Sequence, residues 1–351
     1  MNFASDNATG VAPEILDALT KANSGHMLGY GNDEVTRRVE AQMSRLFERD
    51  VAIFLVTTGT AANALAIAHL SPPWGAVMCY REAHIVTSEA GAPEFFGGGL
   101  KLIELPGEGA MIAPQTLQAA LDGSEWGGPH HVTPSVLSLT QVTEAGTVYR
   151  PETVKELAVI AHERGMAVHM DGARFGNAVA ALGLTPAEAT WKCGADVLSF
   201  GATKGGAMAA EAVVFFDKTR ATAMPERRKR TGQLVSKHRF VSAQFEAFLE
   251  NGLWLKLAHH ANARAARLGK GLAAAGITPV WPADANLVFA VLPKDVHARL
   301  KQAGANYYAR TSSNLPKGTV VSGGAVLARM VTSFATTEAE VDQFIALARA
   351  R

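Results

Sequence analysis

Apolar runs and polar breaks alternate along the chain from residue 51 onward. Val51–Val56 (V-A-I-F-L-V) is a continuous apolar run, the pattern of a strand buried on both faces. T-T-G-T follows, and the Ala- and Leu-rich stretch Ala61–Leu70 reads as a helix. Val77–Tyr80, Leu100–Leu105 and Val136–Thr140 are further strands. Pro151–Arg164 opens on proline, which suits a first helical turn, and Gly165 stops it. Ala167–Met170 is the next strand. Arg174–Ala181 and Thr185–Cys193 read as helices, with Thr185 placed to cap the second. Val197–Phe200 and Ala212–Phe216 complete the set, and Gly97–Gly99 and Gly123–Pro134 are loops. This alternation predicts a mostly parallel sheet covered by helices.

After about Gln244 the pattern changes. Trp254–Ala275 is one long amphipathic helix, stopped by Gly276. Strand-like pieces at Leu287–Leu292 and Arg329–Ser333 then interleave with helices at Lys294–Ala303 and Glu338–Arg349, as in a smaller α+β unit. The expected division is a large α/β domain with an N-terminal arm, residues 1–245, and a small C-terminal domain, residues 246–351. A length of 351 residues suits two such units.

Composition narrows the class without choosing a chemistry. Hydrophobic content of 48% and charged content of 19% are those of a soluble globular protein. A formal net charge of +1 gives no sign of a nucleic-acid or membrane partner. Arg227–Arg230 is a basic run of the kind a solvated helix face carries. Cys79 and Cys193 lie in apolar settings, as buried free thiols do in a reducing compartment. The start, M-N-F-A-S-D-N, has neither the basic nor the apolar part of a signal peptide. No segment approaches the roughly 20 apolar residues that span a bilayer. A cytoplasmic protein is expected.

Two strand ends carry the chemistry. V-H-M-D-G-A-R-F places Asp171, and A-D-V-L-S-F-G-A-T-K-G-G places Lys204, each just past an apolar run. Pyridoxal phosphate (PLP) needs this pair: an amine to hold its aldehyde as a Schiff base, and a carboxylate to keep its pyridine nitrogen protonated. Either residue alone reads better as a surface turn aspartate or a solvated lysine; the strand-end placement of both reverses that balance. T57-T58-G59-T60 sits between a strand and a helix, where N–H groups and hydroxyls make an anion site, so Gly59, Thr60 and Ala61 are candidates for the phosphate. His84 follows a strand and can lie over the cofactor face or move protons. The Arg174 fork can reach the cofactor's phenolic oxygen or a substrate carboxylate.

The combination A4-S5-D6-N7, Y30-G31-N32-D33, T58-G59-T60, A83-H84, H169-M170-D171-G172-A173-R174 and F200-G201-A202-T203-K204-G205-G206 resembles the L-threonine aldolases. These are PLP enzymes of fold type I in the β-eliminating lyase superfamily. The resemblance implies a large domain with a mostly parallel seven-stranded sheet and a smaller α+β domain. It implies retro-aldol cleavage of L-threonine, L-allo-threonine and related β-hydroxy-α-amino acids to glycine and an aldehyde. Laid on this sequence, it makes Lys204 the Schiff-base lysine, Asp171 the pyridine partner and His84 the stacked ring. Gly59 and Thr60 bind phosphate. Ser5, Arg174 and Arg329, in L-A-R-M-V-T-S, hold the substrate α-carboxylate. His130 stands near the substrate hydroxyl, and His84, His130 or a water between them is the base. Tyr30 and Arg228 reach the site of an adjacent subunit in a homodimer or homotetramer. T203-K204-G205-G206 followed by A-M-A-A-E departs from the typical S-K-G-L, and Gly31-Asn32-Asp33 departs from Gly-Asp-Asp; both mark a separate branch. Another fold-type I lyase or transaminase shares the Asp–Lys pair, and a non-catalytic PLP-fold regulator is the third reading. No metal is expected.

Overall fold

The computed structural model describes residues 1–311 and 315–350. Its ten strands are β1 (Ala52–Val56), β2 (Gly75–Tyr80), β3 (Lys101–Leu105), β4 (Thr133–Thr140), β5 (Ala167–Gly172), β6 (Val197–Gly201), β7 (Glu211–Phe215), β8 (Leu287–Leu292), β9 (Tyr308–Arg310) and β10 (Val326–Val331). The first seven form one sheet in the order β1-β7-β6-β5-β4-β2-β3. Pairs from β3 through to β6 are parallel, and β7 runs antiparallel between β6 and β1. The expected seven-stranded, mostly parallel sheet is therefore present. Every residue of β2, β5, β6 and β7 is buried, which explains why these strands read as continuous apolar runs rather than alternating ones.

The helix Gly59–Leu70 is buried from Ala61 to Ala68 and crosses the sheet beside β6 and β7. Its first turn is fixed by Thr58, whose side chain accepts the Ala61 N–H at 3.1 Å. Pro151–Glu163 begins on its proline as expected, and Gly165 follows in the left-handed region at φ +71°. The segment Thr185–Cys193 departs from expectation: only Trp191–Cys193 coils, as a single 3₁₀ turn. The cap is present, with Thr185 Oγ1 accepting the Glu188 N–H and Glu188 Oε2 accepting the Thr185 N–H. No α-helix follows it, because Thr190 turns away at φ −131°, ψ −103°.

Beyond residue 249, Leu253–Ala274 forms the long helix, and β8, β10 and β9 form a second, antiparallel sheet in that order. The N-terminus joins this unit. Phe3 donates to the Asn306 carbonyl, its own carbonyl accepts from Val331, and its buried ring meets Phe344 edge-on at 5.2 Å. Among the described residues no helix is long and apolar enough to cross a membrane.

Candidate active site

A cavity of about 660 Å³ opens where the C-terminal ends of β4 and β5 face β8 and β10. Asp171 lies on β5 itself, one residue before its end, rather than beyond the strand as expected. Register with Thr140 of β4 and Ser199 of β6 fixes its place. Its Oδ2 accepts from Asn63 Nδ2 at 2.9 Å and its Oδ1 from the Ala173 N–H at 3.0 Å. Two residues back on the same face, His169 is wedged between the hydroxyls of Ser138 and Ser199, at 3.0 and 2.9 Å. Burial pushes its ring down to about 4, so it is neutral.

Lys204 sits in the 3₁₀ turn Thr203–Gly205 that follows β6. The turn closes through Gly206 at φ +127°, where an added Cβ would also crowd Leu257 and Ala12 at 3.1 and 3.2 Å. Burial, then the charge of Arg174, pushes the amine down, while Asp6, Asp171 and Glu211 oppose that shift. The cavity wall opposite is the N-terminus of Gly59–Leu70, with Thr58, Gly59 and Thr60 exposed to the cavity. An added Cβ on Gly59 would meet nothing within 4 Å, so open space lies before this end. Ala61 departs from expectation. Its N–H is consumed by the Thr58 cap, and its side chain is buried away from the cavity.

His84 begins the short helix after β2. Its Nδ1 meets Glu89 Oε1 at 2.8 Å, and the same oxygen accepts from Asn63 Nδ2 at 2.9 Å. Asn63 thus ties His84, through Glu89, to Asp171. Burial raises the Glu89 carboxyl. The His84 backbone N–H donates to Glu144 Oε1 at 3.0 Å, beside the Thr140 hydroxyl at 2.9 Å. Burial pushes Glu144 up to about 7.

Three arginines line the cavity, Arg174 from the turn after β5, Arg310 from the end of β9 and Arg329 from β10. Arg174 binds Asp6 in a fork, Nε at 2.6 Å and Nη2 at 2.9 Å, which leaves Nη1 without a protein partner among the described residues. Arg329 lies on β10, opposite Phe289 and Tyr308. Among the described residues its Nη1 reaches only the Ala4 carbonyl, at 3.4 Å. Burial first, and then the charge of Arg174, pushes it down to about 10. Two guanidiniums that destabilise each other beside open space make a site for an anion.

Four expected residues stand elsewhere. Ser5 caps the turn before the cavity, accepting the Asn7 N–H at 3.1 Å, and does not line the wall. Tyr30 is exposed at φ +61° under Lys229, whose Nζ is 4.9 Å from its ring. Arg228 packs over Phe54 and donates to the Leu55 carbonyl, and its buried Nε has no partner among the described residues. His130 is exposed in the loop before β4, edge-on to His131. Sequence reading gave no role to Asp6, Asn63, Glu89, Glu144 or Glu211. One signal was available: Asn63 is the lone amide within an otherwise apolar buried helix segment.

The donor set fits PLP. An amine, a carboxylate, an imidazole and an open helix N-terminus share one cavity. The buried oxygens Asn63 Oδ1 and Glu89 Oε2 beside it have no partner among the described residues. Among those residues no group of His, Cys, Asp and Glu is arranged to hold a metal.

The family model described as beta-eliminating lyase matches residues 2–295. The chain is similar to a low specificity L-threonine aldolase of Pseudomonas sp. (strain NCIMB 10558), 42% identical over 351 residues that cover 99% of this chain and 97% of the relative. A low specificity L-threonine aldolase of Pseudomonas aeruginosa is 43% identical over 309 residues, covering 87% and 88%. Among solved structures, Leishmania major threonine aldolase superposes with a TM-score of 0.91 at 28% identity, covering 99% of this chain and 98% of that one. Sphingomonas wittichii serine palmitoyltransferase, at a TM-score of 0.72 and 14% identity, shares the fold, covering 99% and 86%.

Proposed function

This chain belongs to the β-eliminating lyase family, among the threonine aldolases, and we propose that it cleaves L-threonine, L-allo-threonine and related β-hydroxy-α-amino acids into glycine and an aldehyde. The observation that carries this reading is the meeting of Lys204, Asp171 and the guanidiniums of Arg174 and Arg329 in one cavity. Pyridoxal phosphate, when bound, supplies a conjugated ring that accepts the electron pair of the breaking Cα–Cβ bond. Lys204 holds its aldehyde, and Asp171 holds the proton on its pyridine nitrogen. Gly59 and Thr60 take the phosphate at the helix N-terminus, and His84 covers the ring.

Arg174 and Arg329 pin the substrate α-carboxylate. Pinning would fix how the bonds at Cα are oriented, and so which of them breaks. With Nδ1 engaged by Glu89, His84 keeps Nε2 as the ring nitrogen available to a substrate. Of the two expected histidines it alone lines the cavity, so we assign it the β-hydroxyl proton.

The same proposal includes a homodimer or homotetramer. Met27, Leu28 and Tyr30 form an exposed apolar segment, and Tyr30 and Arg228 have no task within this chain's own cavity. It includes a division into residues 1–245 and 246–351, supported by the two sheets lying wholly on either side of that boundary. It includes a cytoplasmic location, supported by two buried free cysteines.

Incubation with L-threonine should release glycine and acetaldehyde in equal amounts. Borohydride reduction followed by peptide mapping should leave pyridoxyl on Lys204. Ammonia and a 2-oxo acid instead would assign the chain to a different lyase chemistry.

A further inference from the structure

Glu211 ends the A-M-A-A-E run that sets this chain apart from the typical family pattern. It is the first residue of β7, paired with Gly201 of β6 and Val56 of β1. Backbone pairing therefore puts it between the turn that carries Lys204 and the Thr57–Thr60 loop. It is 6% exposed and lines the same cavity as Lys204. The two segments are laced together: Thr203, the neighbour of Lys204, accepts the Ala210 N–H at 3.1 Å on its hydroxyl. Thr203 also supports the charge of the Glu211 carboxylate through its side chain and its N–H.

The other acids near Lys204 are already committed. Asp6 is gripped by both arms of Arg174. Asp171 accepts from Asn63 and from the Ala173 N–H. Glu211 makes no ion pair among the described residues.

We propose that Glu211 is a positioning residue for Lys204, a proton-holding partner that sets when the lysine nitrogen is free of charge and able to bond the cofactor aldehyde. This rests on the reading of Lys204 as the cofactor lysine. The exchange is balanced across the cavity they share: Lys204 Nζ gives up one proton and a Glu211 oxygen takes one up through the cavity's solvent, an ammonium and a carboxylate become an amine and an acid, and no other reactant is needed. Burial favours the neutral pair, since neither member then carries a desolvated charge. Burial pushes the Glu211 carboxyl up to about 7, against the pull of Thr203 and Lys204 and with Asp171 adding to the rise. Lys204 is pushed down by burial and Arg174, with Asp6, Asp171 and Glu211 opposing. The two groups are thus drawn together in proton affinity.

The test compares wild-type and Glu211→Gln holoenzymes. The visible absorbance band, titrated with pH, reads the protonation midpoint of the Lys204 nitrogen. Removing a neighbouring carboxylate disfavours the protonated nitrogen, so the midpoint should fall by roughly one pH unit. A purely structural role for Glu211 would lower the melting temperature and leave the midpoint in place. An unmoved midpoint, with borohydride still labelling Lys204, overturns the proposal. Failure to label Lys204 in the wild type would instead sink the underlying reading. Should Glu211→Gln not fold, Glu211→Asp draws the carboxylate back by one methylene; a smaller fall is then expected, and no fall overturns the proposal equally.

Discussion

Asp6→Asn tests the link between the N-terminal arm and the site. Asp6 and Arg174 have side chains only 1% and 11% exposed, so solvent screens their fork very little. A third donor, Asn286 Nδ2, reaches Asp6 at 3.1 Å from the residue just before β8. Breaking a buried pair by neutralising one member costs about 3–5 kcal/mol. The new amide oxygen can keep one guanidinium contact, so the lower end, about 3 kcal/mol, is expected. At an unfolding entropy of about 2.1 cal/mol/K per residue, a chain this long has roughly 0.7 kcal/mol/K, and Tm should fall by about 4 °C. Burial alone would raise the Asp6 carboxyl, but the charge and hydrogen bonds of Arg174 overcome this and hold it below the ordinary range. A depressed folded value gives stability that is complete above the unfolded carboxylate pKa, about 3.9, and lost as pH falls through the folded one. The gap between wild type and variant should therefore be constant from pH 5 to pH 8 and close only in stronger acid. Thermal unfolding of both holoenzymes across that range is the assay. Equal melting temperatures, or a gap that varies between pH 5 and pH 8, would refute the reasoning.

Three further outcomes are expected. Asp171→Asn should fold, by circular dichroism, yet turn over at least roughly 10²-fold more slowly, because a neutral amide gives the pyridinium no counter-charge; near wild-type turnover would mean that another acid serves the ring. Arg329→Leu should raise KM and depress kcat together, with kcat/KM falling by the equivalent of roughly 2–4 kcal/mol for a lost buried charge contact; a lower Tm with unaltered kcat/KM would make the arginine a structural pin. Mixing inactive Lys204→Ala chains with inactive Arg228→Ala chains should restore activity if sites are shared between subunits; a fully active monomer in sedimentation would exclude sharing.

Elements with a strong burial signature were legible from sequence. β8 and the helix Glu338–Arg349 fall where their patterns place them, because each buries a continuous or periodic apolar set. The helices Pro13–Ala22, Glu34–Leu46, Pro114–Asp122 and Arg239–Leu249 went unmarked. Glu34–Leu46 is polar overall and buries only a narrow stripe, though its Asp33 cap on the Thr36 N–H could have announced it. Asp171 and Lys204 could be read because each role is written in a local motif. Their supports could not. Asn63 meets Asp171 across 108 residues of chain and Asp6 meets Arg174 across 168, and no spacing rule reaches that far. His130 and Tyr30 show the converse limit: a motif can name a residue type without placing it at this chain's cavity.

The division of labour around the cavity bears on what the site can discriminate. Strand alternation on the second sheet turns Leu287 and Phe289 of β8, and Leu327 and Arg329 of β10, toward the same side, so Arg329, with Arg310 of β9 beside it, stands in a largely apolar wall. Trp281, edge-on to Phe289 at 5.1 Å, extends that wall. The acids, amides and hydroxyls gather on the first sheet and on the helix N-terminus. On the proposed reading, charged recognition falls on the part that all α-amino acids share, the carboxylate and the amine. A wall of hydrocarbon and aromatic edges separates side chains only weakly, since one methylene in such a pocket is worth about 1–3 kcal/mol. The polar contacts that could read a β-substituent are His84 and Glu144, which share a backbone hydrogen bond at the end of β4. They can sense the β-hydroxyl and its configuration, but they offer nothing to distinguish a methyl from a phenyl beyond it. An arrangement of this kind favours breadth in the aldehyde released while fixing glycine as the common product.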